Sequence, residues 1–188
     1  MPSPEPLDER ERALLAGIAR RSLEDAFAGR ATDLDVAALP ARLGAPGACF
    51  VTLERDGELR GCIGSIEARR PLAEDVVENA RAAAFHDHRF APLERRELAT
   101  LDMHLSILTP SEPFPVADEA ELLRELVPGE DGLVLEEGLR RSTFLPQVWE
   151  SLPDPRDFVR QLKRKAGLPP DHWSPTLAFR RYRVESIP

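Results

Sequence analysis

The strongest constraint in this chain is the dipeptide Asp56-Gly57, set between two runs of strand-forming residues in FVTLERDGELRGCIGS. Asp-Gly suits a two-residue turn in which both residues take positive φ, so the segment is expected to fold as a β-hairpin. With those two residues as the whole turn, Arg55 pairs with Glu58, Leu53 with Arg60 and Val51 with Cys62. Side chains alternate between faces along a strand. Cys49, Val51 and Leu53 are therefore expected on one face with Arg60 and Cys62, and Phe50 and Thr52 on the other with Leu59, Gly61 and Ile63.

This register bears on chemistry. A guanidinium beside a thiol favours the nucleophilic thiolate, which makes the Arg60–Cys62 pair a candidate reactive site. Gly61 and Gly64 flank the cysteine inside a strand, where glycine commonly marks a bulge or a close approach to the backbone. The competing expectation is an inert buried thiol, since free cysteine is among the most buried residue types. Cys49 falls diagonal to Cys62, about 7–8 Å away and beyond disulfide reach, so both thiols are expected to be free. Two cysteines also fall short of a disulfide scaffold or a Cys-only metal centre.

Around the hairpin, Asp8 and Glu11 have the spacing of a capping box ahead of a stripe of Leu14, Leu15, Ile18, Leu23, Ala26 and Phe27, which predicts a helix. A second helix is predicted from Pro71 to about Phe85, and a loop over HDHRFAPL. Leu101, Met103, Leu105 and Ile107 alternate with polar residues as in a half-buried strand. A short helix follows Asp118, strands are predicted over 133–135 and 139–145, and a helix opens at Asp154-Pro155. A last strand is predicted over 177–184. Hairpins dominate and βαβ alternation is missing, so the fold class is α+β, a mostly antiparallel sheet flanked by helices.

The formal charge is −8, but residues 155–188 carry eight basic and three acidic side chains, leaving −13 for the rest. Trp173, Phe179 and Tyr182 are interleaved with these cations and could stack on bases. Nucleic-acid binding is nevertheless disfavoured by the overall acidity, and core aromatics under a solvated basic surface are the simpler expectation. The longest run free of Asp, Glu, Lys and Arg is 11 residues, 43–53, against roughly 20 for a membrane span. No secretory leader is read at the start, so a cytoplasmic location is expected. No phosphate-binding glycine loop and no dinucleotide fingerprint is found. His86 and His88 could ligate a metal, but the pair reads better as an exposed loop, and no metal or cofactor is expected.

The hexapeptide LRGCIG, residues 59–64, resembles the signature of the AMMECR family, named for the Alport syndrome, midface hypoplasia, intellectual disability and elliptocytosis chromosomal region. Pro71-Leu72-Ala73-Glu74-Asp75-Val76, Asn79-Ala80, Ala83-Ala84-Phe85, Asp87, Arg89-Phe90, Pro92-Leu93, Leu105-Ser106-Ile107-Leu108, Asp131-Gly132-Leu133, Leu145-Pro146-Gln147-Val148 and Lys165-Ala166-Gly167-Leu168 fit its pattern in order. His88 and His104 depart from it and inherit no role. The resemblance implies a single domain over 11–186, after an extended or disordered segment 1–10, with a larger lobe from both chain ends, a smaller lobe and a groove between them. It implies, for prokaryotic members, association with a Memo-like protein and a radical SAM protein in what is called the AmmeMemoRadiSam system, the chain resembling that system's protein A type. It supplies no established reaction. The candidate site is Cys62 as the catalytic residue, with Arg60, Gly61, Gly64, Asp87 and Arg89 lining the groove and Arg60 and Arg89 as anion binders; the competing expectation for Asp87 and Arg89 is a structural ion pair or helix cap that anchors the loop. The alternative is a non-catalytic adaptor that holds a partner protein or nucleic acid through the groove and the basic C-terminal edge.

Overall fold

A computed structural model describes residues 6–188. The described residues divide into two compact units, one running up to residue 109 together with 185–188, the other residues 110–184. Residues 1–5 of the segment expected to be extended or disordered lie outside the described residues. The first helix, α1 (Glu9–Phe27), starts within that segment, because the Asp8 carboxylate accepts the Glu11 N–H at 2.7 Å and the Glu11 carboxylate accepts the Asp8 N–H at 3.0 Å. This reciprocal cap satisfies two of the donors that a helix start leaves orphaned.

In the first unit a four-residue helix α2 (Ala41–Gly44) leads into β1 (Pro46–Arg55), and β2 (Glu58–Gly64) returns beside it. Asp56 and Gly57 have φ of 55° and 80°, as a two-residue turn requires. A short strand β3 (Arg70–Pro71) pairs with the start of β1 and runs into α3 (Leu72–Phe85), so Pro71 precedes the helix instead of lying in its first turn. With β4 (Leu101–Leu108) and β9 (Val184–Ile187) the sheet order is β2-β1-β4-β9, and β3 is joined to β1. Leu53, Val51 and Cys49 face a core built with Leu15, Leu23, Val76, Ala80 and Leu105. Helix α3 packs on β1 and β2, and α1 packs on α3.

The second unit holds β5 (Glu112–Pro113), α4 (Glu119–Glu125), β6 (Gly132–Glu137), β7 (Arg140–Phe144), α5 (Pro155–Lys165) and β8 (Ala178–Tyr182). Its sheet has the order β5-β8-β6-β7. Trp149 stacks on Phe158 with ring centroids 3.8 Å apart, over Leu133, Leu135 and Leu162. The molecule is α+β, and β1 with β2, β1 with β4, β6 with β7 and β6 with β8 all pair antiparallel. The strand expected over 177–184 is in fact two: β8 pairs with β6 in one sheet and β9 with β4 in the other. Alternation alone does not show where the chain changes sheets. Among the described residues, no helix is long and apolar enough to cross a membrane.

Candidate functional site

The hairpin register departs from expectation at one residue, and that residue decides the site. Arg55 pairs with Glu58 and Glu54 with Leu59, but Leu53 then pairs with Gly61, Thr52 with Cys62 and Val51 with Ile63. Arg60 is the extra residue of a β-bulge. A one-residue slip moves every later side chain to the other face. Cys62 therefore shares a face with Thr52, away from Cys49, Val51 and Leu53, and the expected Val51–Cys62 pairing is corrected.

Arg60 does not serve Cys62. Its Nε and Nη2 donate to the two carboxylate oxygens of buried Glu97 at 2.9 and 3.0 Å, and Nη1 donates to the Ala91 carbonyl at 2.9 Å. Glu97 also accepts the Glu94 N–H at 2.7 Å and lies 3.3 Å from Arg55. The Arg60 guanidinium, helped by that N–H, outweighs burial and holds the Glu97 carboxyl down at about 2. The pair ties the bulge to the 3-10 turn Arg95–Thr100, which leaves Arg60 structural and removes it as the expected anion binder.

The cation beside Cys62 is Arg89. Cys62 lies on β2, the edge of its sheet, and its N–H and C=O point outward, where no further strand pairs among the described residues. The Cys62 N–H donates to Asp87 Oδ2 at 2.9 Å, and Arg89 Nη2 donates to the Cys62 carbonyl at 3.3 Å. Arg89 closes the clamp on Asp87 through Nη2 at 2.7 Å, Nε at 3.0 Å and its backbone N–H at 3.1 Å. The guanidinium, with the N–H groups of Cys62 and Arg89, holds the buried Asp87 carboxyl well below the usual carboxylate range. Asp87 and Arg89 thus occupy the backbone groups that a neighbouring strand would otherwise take, which also blunts an exposed edge.

Because the Cys62 backbone groups point away from β1, Thr52 and Cys62 form the pair type whose side chains approach most closely. The Thr52 hydroxyl donates to Cys62 Sγ at 3.3 Å. Cys62 is half-buried and free. On the other side of Thr52 the register places His104, whose Nε2 lies 3.5 Å from Glu54 Oε2. A thiol, a hydroxyl and an imidazole thus stand in one row across β2, β1 and β4.

Both flanking glycines are required by packing. A Cβ on Gly61 would run into the Ala83 carbonyl of α3, and one on Gly64 into the Phe50 ring. Gly61 therefore lets the helix lie against the strand. His86 and His88 are exposed, while Asp87 between them turns inward.

The residues overlooked in the sequence form a buried polar network under β1. Asp75 accepts the Cys49 N–H at 3.0 Å, the Asn79 amide at 2.9 Å and the Ser65 hydroxyl, and Asn79 also donates to the Cys49 carbonyl at 3.2 Å. Asp75 and Asn79, four apart on the same apolar stripe as Leu72, Val76 and Ala83, carried the signal. Burial, with the Asp75 charge, pushes the Cys49 thiol far up, so Cys49 is a packing residue.

The sequence pattern of the family described as AMMECR1 matches residues 16–187. A protein of Methanothermobacter thermautotrophicus is 37% identical over 186 residues, covering 96% of this chain and 95% of that protein. Protein SSO0193 of Saccharolobus solfataricus is 40% identical over 173 residues, with 89% and 76% covered. The crystal structure of the uncharacterized protein PH0010 from Pyrococcus horikoshii superposes with a TM-score of 0.79 at 32% identity, covering 92% of this chain and 88% of that one.

Proposed function

The chain belongs to the AMMECR1 family, and from that premise we propose that it is a component of a modification pathway, working with a Memo-like protein and a radical SAM protein, in which Cys62 is the working residue. The observation that carries this reading is the Asp87–Arg89 clamp on the outer edge of β2. It fixes the Cys62 backbone from both sides and leaves Sγ on a half-buried face with a donated hydroxyl from Thr52. A hydroxyl donated to sulfur stabilises negative charge as it develops there, and a fixed backbone removes the entropy of positioning the nucleophile. Arg89, with its side chain 56% exposed, remains able to receive an anionic group beside the thiol.

The test is co-expression of the full chain with the Memo-like and radical SAM proteins of its own host, followed by co-purification and intact-mass analysis. The reading predicts co-elution of the three proteins and loss of pathway activity in Cys62→Ser with the protein still folded. Elution of the chain alone, or full pathway activity in Cys62→Ser, overturns it.

A further inference from the structure

Of the eight basic residues in 155–188, five are held by the fold. Lys163 is fully buried with its ammonium on Glu119 and the Trp173 ring 5.5 Å away. Lys165 donates to the Thr143 carbonyl at 3.0 Å and lies over Phe144. Arg180 donates to the Ser111 hydroxyl at 3.0 Å, Arg181 lies 3.6 Å from Asp131 and over the Phe114 ring, and Arg183 pairs with Glu130 at 3.0 Å. The other three are Arg156, Arg160 and Arg164. All are exposed on α5, and among the described residues their guanidinium groups have no ion-pair or hydrogen-bond partner.

They are spaced i, i+4, i+8, so they form a single row on the side of α5 away from buried Phe158, Val159 and Leu162, with about 6 Å of rise between neighbours. Helix energetics opposes this arrangement. Like charges four apart repel, and Arg156 sits in the first turn, where the helix dipole disfavours a cation. Only Arg164, in the last turn, is favoured there. The row is therefore not accounted for by the stability of α5.

Two anionic partners fit a row of guanidinium forks: carboxylates and phosphates. The structure weighs against nucleic acid. Phe179 and Tyr182 are buried and Trp173 packs against the same core, so the stacking surface that single strands use is absent among the aromatics of this segment. Three unpaired cations also supply few of the phosphate contacts that binding requires, on a chain of net charge −8. A helix bearing carboxylates four residues apart repeats the 6 Å spacing and offers each fork a bidentate partner. We propose that the Arg156–Arg160–Arg164 face of α5 is a docking surface for an acidic helix of a partner protein. This surface is separate from Cys62 and stands whether or not the thiol is reactive.

The experiment titrates the full chain with a synthetic helical peptide bearing glutamate at i, i+4 and i+8, with its all-glutamine counterpart, and with a 20-nucleotide single strand, at low and moderate salt. The expected result is binding of the glutamate peptide that weakens with salt, and at least a tenfold loss with the glutamine peptide, with Arg156→Glu/Arg160→Glu/Arg164→Glu, and to a smaller degree with Arg160→Glu alone. Circular dichroism melting confirms that both variants are folded. Equal peptide binding by folded Arg160→Glu, no peptide binding at low salt, or tighter binding of the oligonucleotide overturns the proposal. So does reversible self-association abolished by Arg160→Glu, which would make the occupant a second copy of the chain.

Discussion

At Gly61 the α3 backbone comes so close to the strand that the Ala83 carbonyl occupies the space a Cβ would need, and a helix backbone has no flexible end to move aside. Gly61→Ala is therefore expected to cost about 1–3 kcal/mol through overpacking, read as a lower denaturant midpoint with an unchanged slope. The carboxylates give a pH dependence with a definite sign. The Glu97 carboxyl titrates at about 2 in the folded chain, below the roughly 4.3 of a free glutamate. Its ion pair with Arg60 contributes fully above the unfolded value and is lost as pH falls through the folded one, so the unfolded chain takes up the proton first. Asp87, also depressed, acts in the same direction at still lower pH. Stability is expected to fall as pH is lowered from about 4.5 toward 2, and Glu97→Gln to flatten that part of the curve in acid titrations followed by circular dichroism. A curve of unchanged steepness in the variant would remove Glu97 from the account.

Between elements, the junction of α3 with β1 rests on Asp75 and Asn79, which accept and donate at both backbone groups of Cys49. Asp75→Ala leaves the buried Cys49 N–H without its acceptor and is expected to destabilise the chain by about 1–3 kcal/mol, with a faster amide exchange at Cys49 as the local signature. The elements also show how much the residues alone reveal. The Asp56-Gly57 turn was legible because positive φ at two adjacent positions is a local demand that few residue pairs meet. The bulge was not, because Arg60 is drawn out of register by Glu97, a partner 37 residues away. The same slip explains why Arg60 and not Arg89 was read as the cation near Cys62. Asp87 and Arg89 were singled out through the family pattern, but their part in clamping a strand edge requires knowing that β2 is the edge. The alternation through 177–184 identified extended chain, while the change of sheet between Tyr182 and Val184 depends on which sheet receives each half.

For the molecule as a whole, the first unit is assembled from both parts of the chain, since β9 pairs with β4 and the Glu185 carboxylate accepts the Leu7 N–H at 2.8 Å. Removal of residues 184–188 is expected to expose the β4 edge and the Ile187 contacts, with amide protection falling more in β1 and β4 than in β6 and β7 when followed by hydrogen exchange. This fold gives its two thiols opposite fates. Cys49 is sealed under α3, while Cys62 is held at the edge with its sulfur on Thr52. The most direct test is the rate at which a thiol reagent modifies each cysteine in the folded chain and in the chain unfolded by denaturant, with sites assigned by mass spectrometry. The account predicts one fast modification in the folded chain, at Cys62, quicker than in the unfolded chain and slowed several-fold by Thr52→Val, with Cys49 silent until unfolding. Modification of Cys62 no faster in the folded chain than in the unfolded one would contradict it.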